Sequence, residues 1–184
     1  MDIGVFIFDT DYSIDIGILA KELEMRGYES LFVPEHTHIP TSRVSPFPGG
    51  GELPKQYSHT LDPFISLGFA AAATKTLKVG TGICLLAQRE PIVTAKSVAS
   101  LDLMSKGRFV MGLGGGWNVE EMEDHGVSYN RRFAKVREHV LAMKSLWMDE
   151  EAEFNGDYVQ FDKSWAYPKP WQKPHPPILM GGET

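Results

Sequence analysis

Four times along this chain a short apolar run is followed by a stretch with helical spacing, and that alternation limits the fold more than any other feature. Residues 1–8 hold Ile3, Val5, Phe6, Ile7 and Phe8 almost without a break, which reads as a strand covered on both faces. Ile16, Leu19, Ala20 and Leu23 then share one face of a helix that Gly27 stops. Ser30-Leu31-Phe32-Val33 reads as a second strand ended by Pro34, residues 61–76 as an alanine-rich helix, and residues 77–86 as a third strand. Pro91 suits a first helical turn, and Ile92, Ala95, Val98, Ala99 and Leu101 carry that helix to Lys106-Gly107. Residues 108–113 form a fourth strand, and residues 131–148 a long helix with Val136, Val140, Met143 and Trp147 on one face. Residues 177–180 form a fifth strand.

Such a succession builds parallel βα units with right-handed crossovers, in either an open doubly wound sheet or a (β/α)8 barrel. The open sheet has a test in its phosphate-binding glycine fingerprint. Gly112 and Gly114 supply two of the three glycines but Trp117 stands third, and starting from Gly114 the third position is Val119. The fingerprint fails in both registers, so the barrel is the expected architecture. A barrel needs eight strands and about 250 residues, whereas this chain has 184 residues and five visible strands. The chain is therefore expected to be the N-terminal portion of a barrel, truncated at its C-terminus, with sheet edges that want covering.

Two segments stand outside the repeat. Residues 36–60 are rich in Pro, Gly and Ser and too long for an ordinary βα connection; in a barrel they rise from the C-terminal face, where active sites lie. Residues 153–161 read as a hairpin around Asn155-Gly156-Asp157, followed by a stiff extended stretch through Pro168, Pro170, Pro174, Pro176 and Pro177.

The net charge of −6, with no basic run, argues against a nucleic-acid partner. A lone cysteine, Cys84, forms no internal disulfide and reads as a small buried hydrophobe, in keeping with a reducing cytoplasm. No apolar run approaches a membrane span, and acidic rather than basic residues stand near Met1, so a soluble cytoplasmic protein is expected.

Chemistry concentrates where strands end. Glu35, His36 and His38 follow the second strand directly; an imidazole titrates near neutral pH, and a neighbouring carboxylate fixes its tautomer. The plain alternative is a loop histidine bonded to backbone. His36 and His38 also have two-histidine metal spacing, but metal barrels take such a pair from the first strand with later ligands, so no metal is expected. His139 is expected on the charged outer face of its helix. Gly114, Gly115 and Gly116, beside Trp117 and Asn118, close the fourth strand and let backbone approach a ligand. Asn118 is either a ligand donor or a helix N-cap. Gly82 interrupts the third strand, which suggests a bulge, and Gly181-Gly182 could present amides to a phosphate.

The order of these motifs resembles the bacterial-luciferase-like superfamily, and most closely its deazaflavin (F-420)-dependent oxidoreductases. The resemblance rests on Gly4-Val5-Phe6, on Ser30-Leu31-Phe32-Val33-Pro34-Glu35-His36, and on Val79-Gly80-Thr81-Gly82-Ile83 with Arg89-Glu90-Pro91 and Thr94-Ala95-Lys96. It continues through Leu101-Asp102-Leu103-Met104-Ser105-Lys106-Gly107-Arg108, the block from Gly112 to Glu121, and Pro177-Ile178-Leu179-Met180-Gly181-Gly182. It implies a (β/α)8 barrel over residues 1–184, with coenzyme across the strands' C-terminal ends. Glu35 and His36 would lie beside the reactive ring, backed by a non-proline cis peptide at Gly82-Ile83. Gly114 to Asn118 would line the coenzyme, and Gly181 and Gly182 would begin its phosphate site. The implied reaction is hydride transfer between F-420 and a small organic substrate, with His36 giving or taking the proton. Arg43, Tyr57 and His59 are loop candidates for substrate contact. The alternatives are a reduced-FMN-dependent monooxygenase, and a non-catalytic fragment or partner subunit. A full-length parent is expected to be a homodimer, and this chain alone is expected to hold coenzyme weakly.

Overall fold

The computed structural model describes residues 2–181. Its centre is a five-stranded parallel sheet in the order β1-β2-β3-β4-β7. The strands are β1 (Gly4–Phe6), β2 (Ser30–Val33), β3 (Lys78–Thr81), β4 (Phe109–Leu113) and β7 (Ile178–Met180). Neighbours in the chain are thus neighbours in the sheet, as in a barrel unrolled from its first strand. Register is continuous: Val5 stands opposite Leu31, Leu31 opposite Val79, Val79 opposite Phe109, and Met111 opposite Ile178. Between β4 and β7 a separate antiparallel hairpin pairs β5 (Ala152–Asn155) with β6 (Gln160–Ser164).

Helices α1 (Ile16–Met25), α2 (Pro63–Ala73), α3 (Pro91–Met104) and α5 (Arg132–Met148) alternate with these strands, and a short α4 (Val119–Asp124) follows β4. Their starts are chemically marked. Asp15 accepts from the Ile18 amide at 2.9 Å, Asp62 from Phe64 and Ile65, and Glu90 from Ile92 and Val93, so each carboxylate meets the positive end of its helix. Pro63 and Pro91 take the first turn, where no amide is needed. Helix α2 is shorter than the expected 61–76, because Asp62 caps it late and Glu24 gathers the amides of Lys75, Thr76 and Leu77 into a turn. Those bonds hold the Glu24 carboxyl at about 2, the Thr76 amide contributing most.

The core lies between sheet and helices. Leu31, Val79, Phe109 and Met111 are fully enclosed, packed with Ala20, Leu67, Ala70, Val98 and Met143 from the helices. At the strands' N-terminal end, Arg108 donates to the carbonyls of Ala71, Leu77 and Ser105 and to the Thr74 hydroxyl. A cation there suits the C-terminus of α2 and ties it beneath β3. Asp102, fully buried on α3, accepts from the backbone and side-chain amides of Gln172 at 2.9 and 2.7 Å, and Gln172 also donates to the Phe109 carbonyl. This clamp fixes the proline-rich segment that leads into β7.

Several expectations are corrected. The third strand ends at Thr81 rather than continuing to residue 86; Cys84 makes one bridge to Leu113, and Leu86–Gln88 is a 3-10 turn. The proline-rich stretch bends and includes two cis X-Pro bonds, Tyr167-Pro168 and Lys173-Pro174, instead of running straight. His139 is not on an outer face. It is 1% exposed, and its Nδ1 meets the Leu86 carbonyl at 3.0 Å, because it shares the Val136–Met143 stripe that packs inward. Burial pushes its proton affinity down, toward the neutral imidazole.

Helix α2 carries no charged residue. With α3 it borders a groove of about 440 Å³ lined in part by the exposed Ile65 and Met104, and Phe69 and Val93 are exposed on the same two helices. Among the described residues no helix is long and apolar enough to cross a membrane.

Candidate functional site

All the chemically suggestive residues of β2, β3 and β4 lie at the C-terminal ends of their strands. His36 sits three residues past β2. Its Nδ1 is 2.7 Å from Oε2 of Glu121, and the two side chains are only 6% and 0% exposed. The other oxygen of Glu121 accepts from the Thr37 amide at 3.1 Å, and Thr60 donates to the His36 carbonyl at 2.8 Å. Glu121 is placed by α4, whose N-cap is Asn118, accepting from the Glu121 amide. Of the two roles open to Asn118, the cap is the one seen; its buried Nδ2 has no partner.

The carboxylate that fixes His36 is thus Glu121, 85 residues away in sequence, and not Glu35. Both oxygens of Glu35 are committed, one to the Leu85 amide at 2.8 Å and the other to Arg89 Nε at 2.6 Å. Arg89 in turn reaches Asp62 at 2.6 Å. Glu35 serves as a buried anion that ties β2 to the turn after β3. Burial, with the nearby Glu35 charge, pushes the Cys84 thiol well above its ordinary value, so Cys84 is a packing residue as expected.

Rings surround His36. Tyr57 lies 5.3 Å and Trp117 5.9 Å from it between centroids, with Phe47 against both, and Phe8 and Phe6 extend the series toward Gly82. Burial raises the Tyr57 phenol above its usual range. Arg43 stacks on Trp117 at 5.6 Å. Of the three loop candidates, Tyr57 and Arg43 therefore join the His36 group. His59 instead pairs with Asp11 at 2.8 Å and packs on Tyr12. His38 is also peripheral, at 3.0 Å from Asp124 and well exposed.

The 36–60 connection is fastened to α4 at a second point. Oε1 of Glu120 accepts from the amides of Val44 and Ser45, and Ser45 Oγ accepts from the Val119 amide. The Ser45 hydroxyl and then the Val44 amide hold the Glu120 carboxyl at about 2. Sequence reasoning missed Glu120 and Glu121 as site residues. The signal available was a pair of acids just after an N-cap asparagine at the end of β4, which was read only as a helix start.

The Gly82–Ile83 peptide is cis, at the position the resemblance implies. The glycines after β4 make room for protein atoms. A Cβ on Gly114 would lie 2.2 Å from Ile83, one on Gly115 would lie 2.7 Å from Phe133, and Gly116 has φ +72° beside Met122. The Gly181 amide, expected to face a phosphate, donates to the Leu113 carbonyl at 2.8 Å, because the β4–β7 ladder continues past Met180. Gly182 lies outside the described residues. No metal-binding group of three ligands occurs among the described residues.

Known proteins were compared with this arrangement. The profile of the family described as luciferase-like monooxygenase matches residues 10–184. An uncharacterised protein of Mycobacterium tuberculosis is 44% identical over 184 residues, covering 98% of this chain and 65% of its own length. An FMNH2-dependent dimethylsulfone monooxygenase of Pseudomonas putida is 33% identical over 116 residues, covering 61% of this chain and 32% of the enzyme. An F-420-dependent glucose-6-phosphate dehydrogenase of Amycolatopsis mediterranei is 30% identical over 116 residues, covering 61% and 34%. Among solved structures, the monooxygenase RslO1 of Streptomyces bottropensis superposes with a TM-score of 0.83 at 26% identity, over 98% of this chain and 53% of that one. The chain thus spans about half to two thirds of these full-length matches, apart from the two shorter local ones. Strand order, the imidazole at the end of β2 and the profile match agree: this chain belongs to the luciferase-like monooxygenase family, whose relatives include both F-420- and FMN-dependent oxidoreductases.

Proposed function

We propose that this chain carries the reacting face of an oxidoreductase that moves a hydride between F-420 and a small organic substrate, with His36 as proton donor and acceptor. The observation that carries the reading is the His36–Glu121 pair, an imidazole held at 2.7 Å by a fully buried carboxylate at the C-terminal end of β2. An ionised carboxylate only accepts, so the Nδ1 proton of His36 lies on that bond. Nε2 is left as the atom that takes the substrate's proton or returns it. The rings of Tyr57 and Trp117 limit water around it.

The surface also suits a flat heterocycle. Phe6 is 54% exposed beside Gly82, and the buried Nδ2 of Asn118 has no partner. Phe6, the Gly82–Ile83 segment and Asn118 would hold the ring, which when bound supplies the hydride donor or acceptor. The positioning of substrate, the exclusion of water and the proton at His36 belong to the chain itself.

A second reading, a monooxygenase using reduced FMN, is favoured by the fit to RslO1 and the likeness to the dimethylsulfone monooxygenase. Titrating the chain with F-420 and then with FMN, following tryptophan fluorescence, separates the two. Saturation by F-420 alone supports the proposal, and saturation by FMN alone replaces it with the second reading. Saturation by neither, in this chain and in a longer parent that supplies the rest of the barrel, refutes coenzyme use and leaves the non-catalytic account. We further propose that the α2 face pairs with a second copy, since this uncharged helix exposes Ile65 and Phe69 and borders a groove whose lining includes Gly68, Ala71 and Ala72.

A further inference from the structure

The two limbs of the 36–60 connection border an open pocket of about 290 Å³ lined by Ile39, Pro40, Arg43, Leu53, Lys55 and Ser58. Two of its lining residues are cationic and none is acidic, in a chain whose net charge is −6. Among the described residues neither cation pairs with a carboxylate. Arg43 spends one nitrogen on the Ser45 carbonyl and lies 5.6 Å from the Trp117 ring centroid, while Lys55 sits 4.6 Å from the Tyr12 ring centroid. Asp11 and Glu120 are engaged elsewhere, Asp11 with His59 and Glu120 with the amides of Val44 and Ser45. Two like charges gathered in one pocket repel, and an anion between them would offset that repulsion.

We propose that this pocket is an oxyanion site that takes the carboxylate or phosphate of the substrate, so that the enzyme acts on an acid. This rests on His36 as the reacting centre. Trp117 neighbours both places, its ring 5.6 Å from Arg43 and 5.9 Å from the His36 ring. Tyr57, two residues from Lys55, lies 5.3 Å from His36. A guanidinium can stack on a ring and still present its edge to two oxygens, which a lysine in the same place cannot do. The order along the site is therefore anion on Arg43 and Lys55, body of the substrate along Trp117, and reacting carbon at His36. Lys55 is new to this assignment; nothing in its sequence neighbourhood marks it.

The test needs no coenzyme. Benzoate, phenyl phosphate and the neutral isostere benzamide are titrated into the chain by calorimetry, with tryptophan fluorescence alongside. The expected result is that at least one anion binds about tenfold or more tightly than benzamide, the worth of one charge-assisted hydrogen bond. Arg43→Gln should remove that preference, and Lys55→Gln should reduce it several-fold. The tighter of the two anions tells carboxylate from phosphate. Equal binding of all three probes, binding by none, or an undiminished preference in folded Arg43→Gln overturns the proposal. If Arg43→Gln does not fold, an undiminished preference in Lys55→Gln overturns it instead. Anion preference together with failure of a longer parent to bind either coenzyme would sink the hydride-transfer reading and leave this site standing.

Discussion

Glu121 is the residue on which the proposed chemistry depends most, and its removal has a calculable cost. Its carboxylate is fully buried and holds two hydrogen bonds, to His36 at 2.7 Å and to the Thr37 amide at 3.1 Å. A hydrogen bond to a charged group contributes about 1.5–3 kcal/mol, and truncation leaves the enclosed His36 donor without a partner. Glu121→Ala should therefore destabilise the chain by about 3–5 kcal/mol. Glu121→Gln keeps the volume and one acceptor oxygen, and should cost about 1–2 kcal/mol. Urea denaturation followed by circular dichroism measures both. Nitrogen-15 NMR of the His36 ring supplies a readout that simple loss of packing would not move: the Nδ1-protonated tautomer should dominate in the wild type and give way to a mixture in Glu121→Gln. A cost below about 1 kcal/mol for Glu121→Ala, or an unchanged tautomer in Glu121→Gln, would refute the assignment of this carboxylate as the group that orients His36.

Other outcomes follow from the same coordinates. A Cβ on Gly112 would lie 2.0 Å from the Thr81 carbonyl oxygen, a backbone atom that cannot swing away, whereas Gly68 in α2 has nothing within 4 Å. Gly112→Ala should abolish cooperative unfolding or cost more than about 3 kcal/mol, while Gly68→Ala should gain up to about 1 kcal/mol in thermal or urea unfolding. Glu24 and Glu120 both have folded-state values lowered from 4.5 to about 2, so their contribution is present above pH 4.5 and lost as pH falls toward 2. Screened by solvent, each should amount to roughly 1 kcal/mol, and Glu24→Gln should flatten the acid limb of a stability–pH curve. Phe69→Glu, on the exposed face of α2, should raise the dissociation constant for self-association about a hundredfold or more in sedimentation experiments. A monomeric wild-type chain would remove the basis for that pairing.

How much of this was legible beforehand depended on whether the deciding contact was local. The starts of α3 and α4 were readable because Pro91 suits a first turn and Asn118 acts on an amide three residues ahead, whereas the Asp62 cap was not read and α2 was expected from residue 61. The strand order was readable because parallel pairing follows the βα repeat. Three things were not. The partner of His36 comes from α4, 85 positions along the chain, and Glu35 offered a nearer but wrong carboxylate. The inward turn of His139 was hidden by its charged neighbours Arg137 and Glu138, although its spacing from Val136 already placed it on the buried stripe. The glycines after β4 signalled close approach correctly, but the sequence had no means of saying that Ile83 and Phe133 occupy the space.

The clamp of Gln172 on Asp102 bears on how such a chain tolerates change. β4 and β7 are adjacent in the sheet yet separated by α4, α5 and the β5–β6 hairpin, and the clamp sets the register of β7 from outside that excursion. Doubling a flexible closed loop adds only about 0.6 kcal/mol of closure entropy. Residues 149–164, the β5–β6 hairpin and its approach, can therefore lengthen, shorten or be exchanged with little penalty to the seam they bridge. The hairpin is then a site where lineages can diversify, while Asp102 and Gln172 keep the two strands in step.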